Sequence, residues 1–178
     1  MIAPPGRADR IAIRALWTAE LQEQTMDSRR MAGAIAGGLV AGLGITALLM
    51  AGERKSGEPS EIVALERKTA DKLGIDTPAA DALPSAREQA VTQSGHLLLS
   101  AAAGAVYAAT VDEEASVIVS GLMFGAAFYA AMHWITGPLL GVKPPEWQAD
   151  AKTIGMHSVN HAVFGLVTAL GAKLATRG

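Results

Sequence analysis

The sequence predicts an all-α membrane helical bundle. Four transmembrane helices form two helical hairpins of one repeated design, and a short amphipathic helix on the membrane surface precedes them. Three observations predict it. Four stretches carry no Asp, Glu, Lys or Arg, at 31–52 (22 residues), 89–111 (23), 115–142 (28) and 153–172 (20), each near the ~20 residues a helix needs to cross ~30 Å of hydrocarbon. Only 18% of the 178 residues are charged and mean hydropathy is +0.26, whereas a soluble domain is about 25% charged. Finally, the first stretch holds glycines at 33, 37, 38, 42, 44 and 52. Each interior one costs a water-exposed helix about 1 kcal/mol relative to Ala, but a bilayer offers the exposed amide no competing partner. A soluble four-helix protein would need a polar stripe, and residues 32–51 offer only Thr46.

The elements follow in order. Residues 1–30 carry Arg7, Arg10, Arg14, Arg29 and Arg30 without a continuous apolar core, which excludes a signal peptide. Ile13, Trp17 and Leu21 recur at i, i+4, i+8, the spacing of a helix lying along headgroups, with Trp17 as an interface anchor. This segment is read as an extension, and Met26 offers an alternative start. Residues 31–178 form the four-helix domain, with spans at about 31–52, 89–111, 115–136 and 154–174 and an extramembrane connector at 53–88. Within that connector, residues 60–73 are expected to form an amphipathic helix with Ile62, Leu65 and Leu73 on one side and Gly74 as its stop. Ser85-Ala-Arg-Glu88 is a capping-box pattern that starts the second membrane helix near Ala86. Asp112 is expected to cap the third, with Glu113 and Glu114 beside its positive end, and Gly137-Pro138 to stop it. The following run to Trp147 is too apolar for a solvated loop. It is expected to lie in the interface or dip back, with Trp134 and Trp147 at headgroup depth. Lys173 and Arg177 close the fourth helix.

The two hairpins match. Gly38-Leu-Val-Ala-Gly42 corresponds to Gly121-Leu-Met-Phe-Gly125 at an offset of 83, and His96, Gly104 and Val106 to His157, Gly165 and Val167 at an offset of 61. The difference is an insertion in the first connector, and the repeats run in the same sense. Every helix carries a small-xxx-small pair: Gly38/Gly42, Gly104/Ala108, Gly121/Gly125 and Gly165/Ala169. Such pairs let helices pack closely within the bundle or between two copies. Arg29-Arg30 beside the first span places both termini in the cytoplasm.

All four histidines (His96, His133, His157 and His161) fall near the ends of helices that share one side of the membrane. His157 and His161 lie one turn apart, with Asn160 close by, and Tyr129 and His133 also share a face. Imidazoles gathered in one leaflet could bind a transition metal, hold a haem axially or carry protons. Equally, they could bond helix to helix without chemistry. No HExxH, CxxCH or carboxylate–histidine pairing accompanies them in the sequence, and none of the 178 residues is cysteine, so thiol and Cys-zinc chemistry are excluded. A P-loop, a dinucleotide turn and the Gly-x-Ser-x-Gly of a hydrolase are missing. Ser94, Ser100 and Ser158 lack acidic partners within the spans. A net charge of −2 without a basic stripe excludes nucleic acid as a partner.

Pro-Leu-Leu-Gly-Val-Lys-Pro-Pro (138–145), followed by a helix with His157 and Phe164, resembles the YagU-like family of bacterial integral membrane proteins. The likeness covers roughly 121–172. It implies a bacterial inner-membrane protein of this size and supplies no catalytic residues. The expected function is a structural or accessory subunit with no catalytic site and no cofactor, surrounded by lipid and partnered by other membrane subunits or its own copies. A haem or transition-metal protein using the histidines is the alternative. A small oligomeric transporter or channel is the second, although an intramembrane charge that would favour it is missing.

Overall fold

The computed structural model describes the backbone of residues 7–177 and the side chains of Thr25 and of residues 27–177. All regular structure among them is helical: α1 (Arg7–Ser56), α2 (Glu61–Lys72), α3 (Ala86–Thr110), α4 (Val117–Tyr129), a π-helical segment (Ala130–Thr136), α5 (Gly137–Leu139), a 3-10 turn (Glu146–Gln148) and α6 (Ala151–Ala175). The four long helices α1, α3, α4 and α6 run alternately up and down. α1 packs between α3 and α6, and α4 lies against the other side of α6. The ring closes between α3 and α4 through Tyr107, whose ring meets Phe124 edge-on at 5.2 Å and whose hydroxyl lies 2.7 Å from that of Ser120.

Small residues set how closely these helices approach. A Cβ built on Gly104 would stand 2.5 Å from the carbonyl oxygen of Ala34, one on Gly38 2.5 Å from that of Ser100, and one on Gly121 2.9 Å from that of Gly165. On Gly42 it would meet the Ser100 hydroxyl at 2.5 Å, and on Gly125 and Gly165 it would run into the carbonyls of His161 and Gly121. All six expected packing glycines therefore lie where helices touch. The α1–α6 seam adds Gly33, Gly37 and Gly171, each against backbone of the other helix. The core is correspondingly fine-grained: Ala34, Ala41, Ala103, Ala108, Ala169 and Ala172, with Tyr107 and Phe164 as its large members.

Large apolar side chains point outward instead. Val40 and Leu48 on α1, Leu98 and Val106 on α3, Ile118 and Met123 on α4, and Val159 and Leu170 on α6 are all exposed. Among the described residues, two helical stretches are long and apolar enough to cross a membrane, Asp27–Ser56 and Val117–Leu139. α3 and α6 open with polar residues, among them Gln89, Thr92 and Gln93, and Lys152 and His157.

Several expected boundaries shift. α1 runs without a break from Arg7, because no Gly or Pro interrupts residues 7–32; a helix over 1–30 separate from the first span is therefore not what forms. The stripe of Ile13, Trp17 and Leu21, with its anchor Trp17, lies outside the described side chains. α2 turns Val63 and Arg67 inward, whereas Leu73 is exposed. Leu73 falls on the C-cap, one step beyond the last inward-facing turn. Gly74 ends α2 as expected: at φ +72 it lets Ile75 N–H reach the Ala70 carbonyl and its own N–H reach that of Asp71, both at 2.9 Å, a Schellman motif. Ser85 caps α3 by accepting from Glu88 N–H.

Asp112 does not cap the third helix. It closes the preceding turn by accepting from Glu114 N–H at 2.8 Å, and Ser116 takes the N-cap position. Nor does Gly137-Pro138 stop that helix. Pro138 cannot donate to the carbonyl four residues back, at Trp134, and its ring would strike it. Widening into the π-helical segment clears the clash. The chain then turns at Gly141 (φ +64) in a second Schellman motif, with Val142 N–H on the Gly137 carbonyl at 3.1 Å and the Val142 side chain buried.

Arg67 fastens α2 down. Its guanidinium bonds both Glu88 carboxylate oxygens, at 2.7 and 3.2 Å, and donates to the Ala79 carbonyl at 2.8 Å. The hydrogen bond with Glu88, stronger than the cost of burial, raises the Arg67 pKa and lowers that of Glu88. Arg67→Ala is expected to loosen α2 and the 74–85 loop by on the order of 2–3 kcal/mol, read as faster tryptic cleavage at Lys68 and Lys72 while α1 and α3 stay protected. Arg67→Lys should rescue little, because an ammonium cannot fork across both oxygens.

Candidate functional site

One end of the bundle is polar, where α1 and the π-helical segment finish and α3 and α6 begin. It is roofed by α2 and by the chain from Leu140 to Asp150. The roof forms because the Gly141 turn and Pro144-Pro145 send the chain back over the bundle, and Asp150 then caps α6 by accepting from the N–H groups of Lys152 and Thr153. That path drops Glu146, only 1% exposed, onto the first turns of α6. The π-helical segment brings His133 to the same place, and α2 contributes Glu61 from above.

The groups interlock. His157 sits between two carboxylates, with Nε2 2.6 Å from Glu61 and Nδ1 2.5 Å from Glu146. A ring that bonds carboxylate oxygens at both nitrogens must donate from both, so His157 is the imidazolium. The Lys143 ammonium donates to Glu61 at 2.6 Å, to Glu146 at 2.8 Å and to Nδ1 of His133 at 2.8 Å. His133 accepts there and is the neutral ring protonated on Nε2. Tyr129 adds its hydroxyl to Glu146 at 3.2 Å. Two carboxylates thus face two cations, and both oxygens of Glu146 accept: Oε1 from His157 and Tyr129, Oε2 from Lys143. Burial works against the charged forms of Glu61 and Glu146, but hydrogen bonds from His157 and Lys143 outweigh it and hold each carboxyl at about 2. Against burial in turn, Glu146 and Glu61 raise the Lys143 pKa.

A second polar chain runs beside the first. With the Thr46 hydroxyl donating to Gln93 at 2.8 Å, His96 donates from Nδ1 to Thr46 at 3.0 Å, and Gln93 donates to Gln89 at 3.0 Å. Gln89 donates to the buried Glu53, whose other oxygen accepts from Ser60 N–H at 2.9 Å. Every donor points towards that carboxylate.

Of the four histidines, three converge: ring centroids of His133 and His157 are 4.4 Å apart, and those of His133 and His161 5.0 Å. His161 spends its Nδ1–H on the His157 carbonyl at 2.9 Å and packs against Phe128 and Tyr129. His96 belongs to the other chain. His133 lies against both of the other two rings. The expected lack of carboxylate–histidine pairing is corrected: Glu61 and Glu146 supply it from the connectors, brought in by tertiary structure. A sign of Glu146 was already present, as an acid embedded with Lys143 in a connector too apolar for a loop. Nothing local marked Glu61. Trp134 and Trp147 pair edge-on at 6.0 Å, both exposed, on the rim of this roof. Ser100 donates to the His96 carbonyl at 2.9 Å. Compared with known families, curated proteins and solved structures, the chain matches none, so the YagU-like resemblance rests on the residues that carry it.

Proposed function

We propose that this chain is an integral protein of a bacterial cytoplasmic membrane, crosses it four times with both termini in the cytoplasm, and serves as a structural or accessory subunit rather than an enzyme. The observation that carries the reading is the apolar outer surface of all four long helices, α3 and α6 included, around a core of alanine and glycine. Only 33% of the apolar window of α1 and 17% of that of α4 is buried, too little for core helices of a water-soluble domain. A soluble monomer rarely exposes apolar patches beyond a few hundred Å²; lipid or neighbouring subunits are the partners such a surface fits.

The duplication belongs to the same proposal. Offsets of 83 and 61 carry the facing pair Gly38 and Gly104 onto Gly121 and Gly165, and Gly42 against Ser100 onto Gly125 against His161. The YagU-like likeness agrees with this size and location. Transport through one copy is disfavoured, because the polar networks stop at one end and the opposite half is filled by Tyr107, Ala34, Ala108, Ala169 and Ala172.

Two measurements test it. The chain should stay with membranes through alkaline carbonate. Cysteines placed at Glu58 and Gln148 should label from one side and one at Glu114 from the other. Release as a soluble monomer, or labelling of all three from one side, sinks the four-span reading. Mild-detergent purification should yield a stoichiometric second subunit or a homo-oligomer; a lone, monodisperse monomer would remove the accessory role.

A further inference from the structure

We infer that Glu61, Glu146, His133 and His157 form a site for one divalent transition-metal ion, with the Lys143 ammonium standing where the ion would bind. Nζ of Lys143 lies 2.6 Å from Glu61 Oε1, 2.8 Å from Glu146 Oε2 and 2.8 Å from His133 Nδ1, three acceptors arranged around one cation. One ligand atom each from Glu61, His133 and His157 lies within 4.8 Å of the other two. Metal–ligand distances of about 2.0–2.2 Å require the acceptors around Nζ to close in by only about 0.4–0.8 Å.

Charge balance points the same way. Two carboxylates are offset here by two single cations, Lys143 and the doubly donating His157. One divalent ion replaces both: Lys143 swings away still protonated, and His157 gives up one proton and offers the freed nitrogen. The product, two imidazoles and two carboxylates around M²⁺, is as neutral as the present arrangement. Two nitrogens with two oxygens suit Zn²⁺, Fe²⁺ or Mn²⁺ rather than Ca²⁺ or Cu(I). A path exists: a cavity of about 220 Å³ between α2 and the chain that follows Gly141 is lined by Glu61, Lys143 and Glu146 together with Leu65, Val142 and Pro145. It admits an ion and gives the lysine somewhere to go. The site differs from a four-histidine cluster, since His96 hydrogen-bonds in the other chain and His161 is tied to the His157 carbonyl.

The test uses tag-free, chelator-treated full-length protein in detergent, titrated calorimetrically with Zn²⁺ at neutral pH. Wild type should bind one ion per chain. Lys143→Met should bind roughly tenfold or more tightly, because a competitor holding the site lowers apparent affinity. Glu146→Gln should weaken binding by roughly tenfold or more, and His96→Ala should leave it unchanged. Equal affinity in Lys143→Met and wild type, or unaltered affinity in Glu146→Gln, overturns the site. If Lys143→Met fails to fold, wild type decides through its Tm: Zn²⁺ should raise it, and Glu61→Gln should abolish the rise. A Tm indifferent to Zn²⁺, or a rise that survives Glu61→Gln, rejects the proposal.

Discussion

Glu146→Ala is expected to cost the folded bundle about 3–5 kcal/mol, the penalty for removing one partner of a buried ion pair and leaving the other uncompensated. Here the abandoned groups are Lys143 and His157, which lose bonds of 2.8 and 2.5 Å. Thermal unfolding in detergent should show the loss, and a drop under about 1 kcal/mol would mean that the roof is not held by this carboxylate. Acid should imitate the mutation. Glu61 and Glu146 lie at about 2 when folded against an ordinary 4.5. Their stabilisation is complete above about 4.5 and disappears as the pH falls from there towards 2. Wild type should therefore lose Tm across that window, and Glu146→Ala, already lacking one of the two groups, should lose less.

Gly165→Leu should be about as damaging, at about 3 kcal/mol or more, because no rotamer relieves it. Even a Cβ at Gly165 strikes the Gly121 carbonyl, and one at Gly121 comes within 2.9 Å of Gly165. α4 and α6 must separate to admit it. Position matters more than residue type: a methyl added at Gly44 or Gly155 would have nothing within 4 Å. Gly44→Ala and Gly155→Ala should be neutral or gain up to about 1 kcal/mol of helix propensity. If melts rank all three substitutions alike, the close approach of α4 to α6 is not what stabilises the bundle.

The long helices were legible because their signals are local. Gaps in charge marked α1, α3, α4 and α6; Ser85 and Gly74 marked ends; and the small-residue spacing pointed to faces that the structure brings together. What escaped the sequence depends on distant chain. The clash of Pro138 with a carbonyl can be answered either by ending a helix or by widening it, and only the packing of His133 against α6 selects the second. Asp112 sits four residues ahead of the N-cap at Ser116, a register that a row of acids does not disclose. Glu61 meets His157 across most of the chain, and no spacing rule connects them. Arg67 gave no local sign in the sequence, yet it is buried because Glu88 and the carbonyls of Ala79 and Ala80 converge on it.

The place of α1 in the bundle bears on biosynthesis. α1, made before the other three long helices, is flanked by α3 and α6, and its Gly33 and Gly37 rest on Gly171 and Val167 near the end of α6. α1 can pair with α3 as soon as that helix emerges, but its other seam stays open until α6 has left the ribosome as well. Nascent chains halted before residue 165 should therefore hold a bare glycine face open to any neighbouring helix. Wrong pairings in that interval, rather than slow formation of any single helix, would set how efficiently the protein assembles.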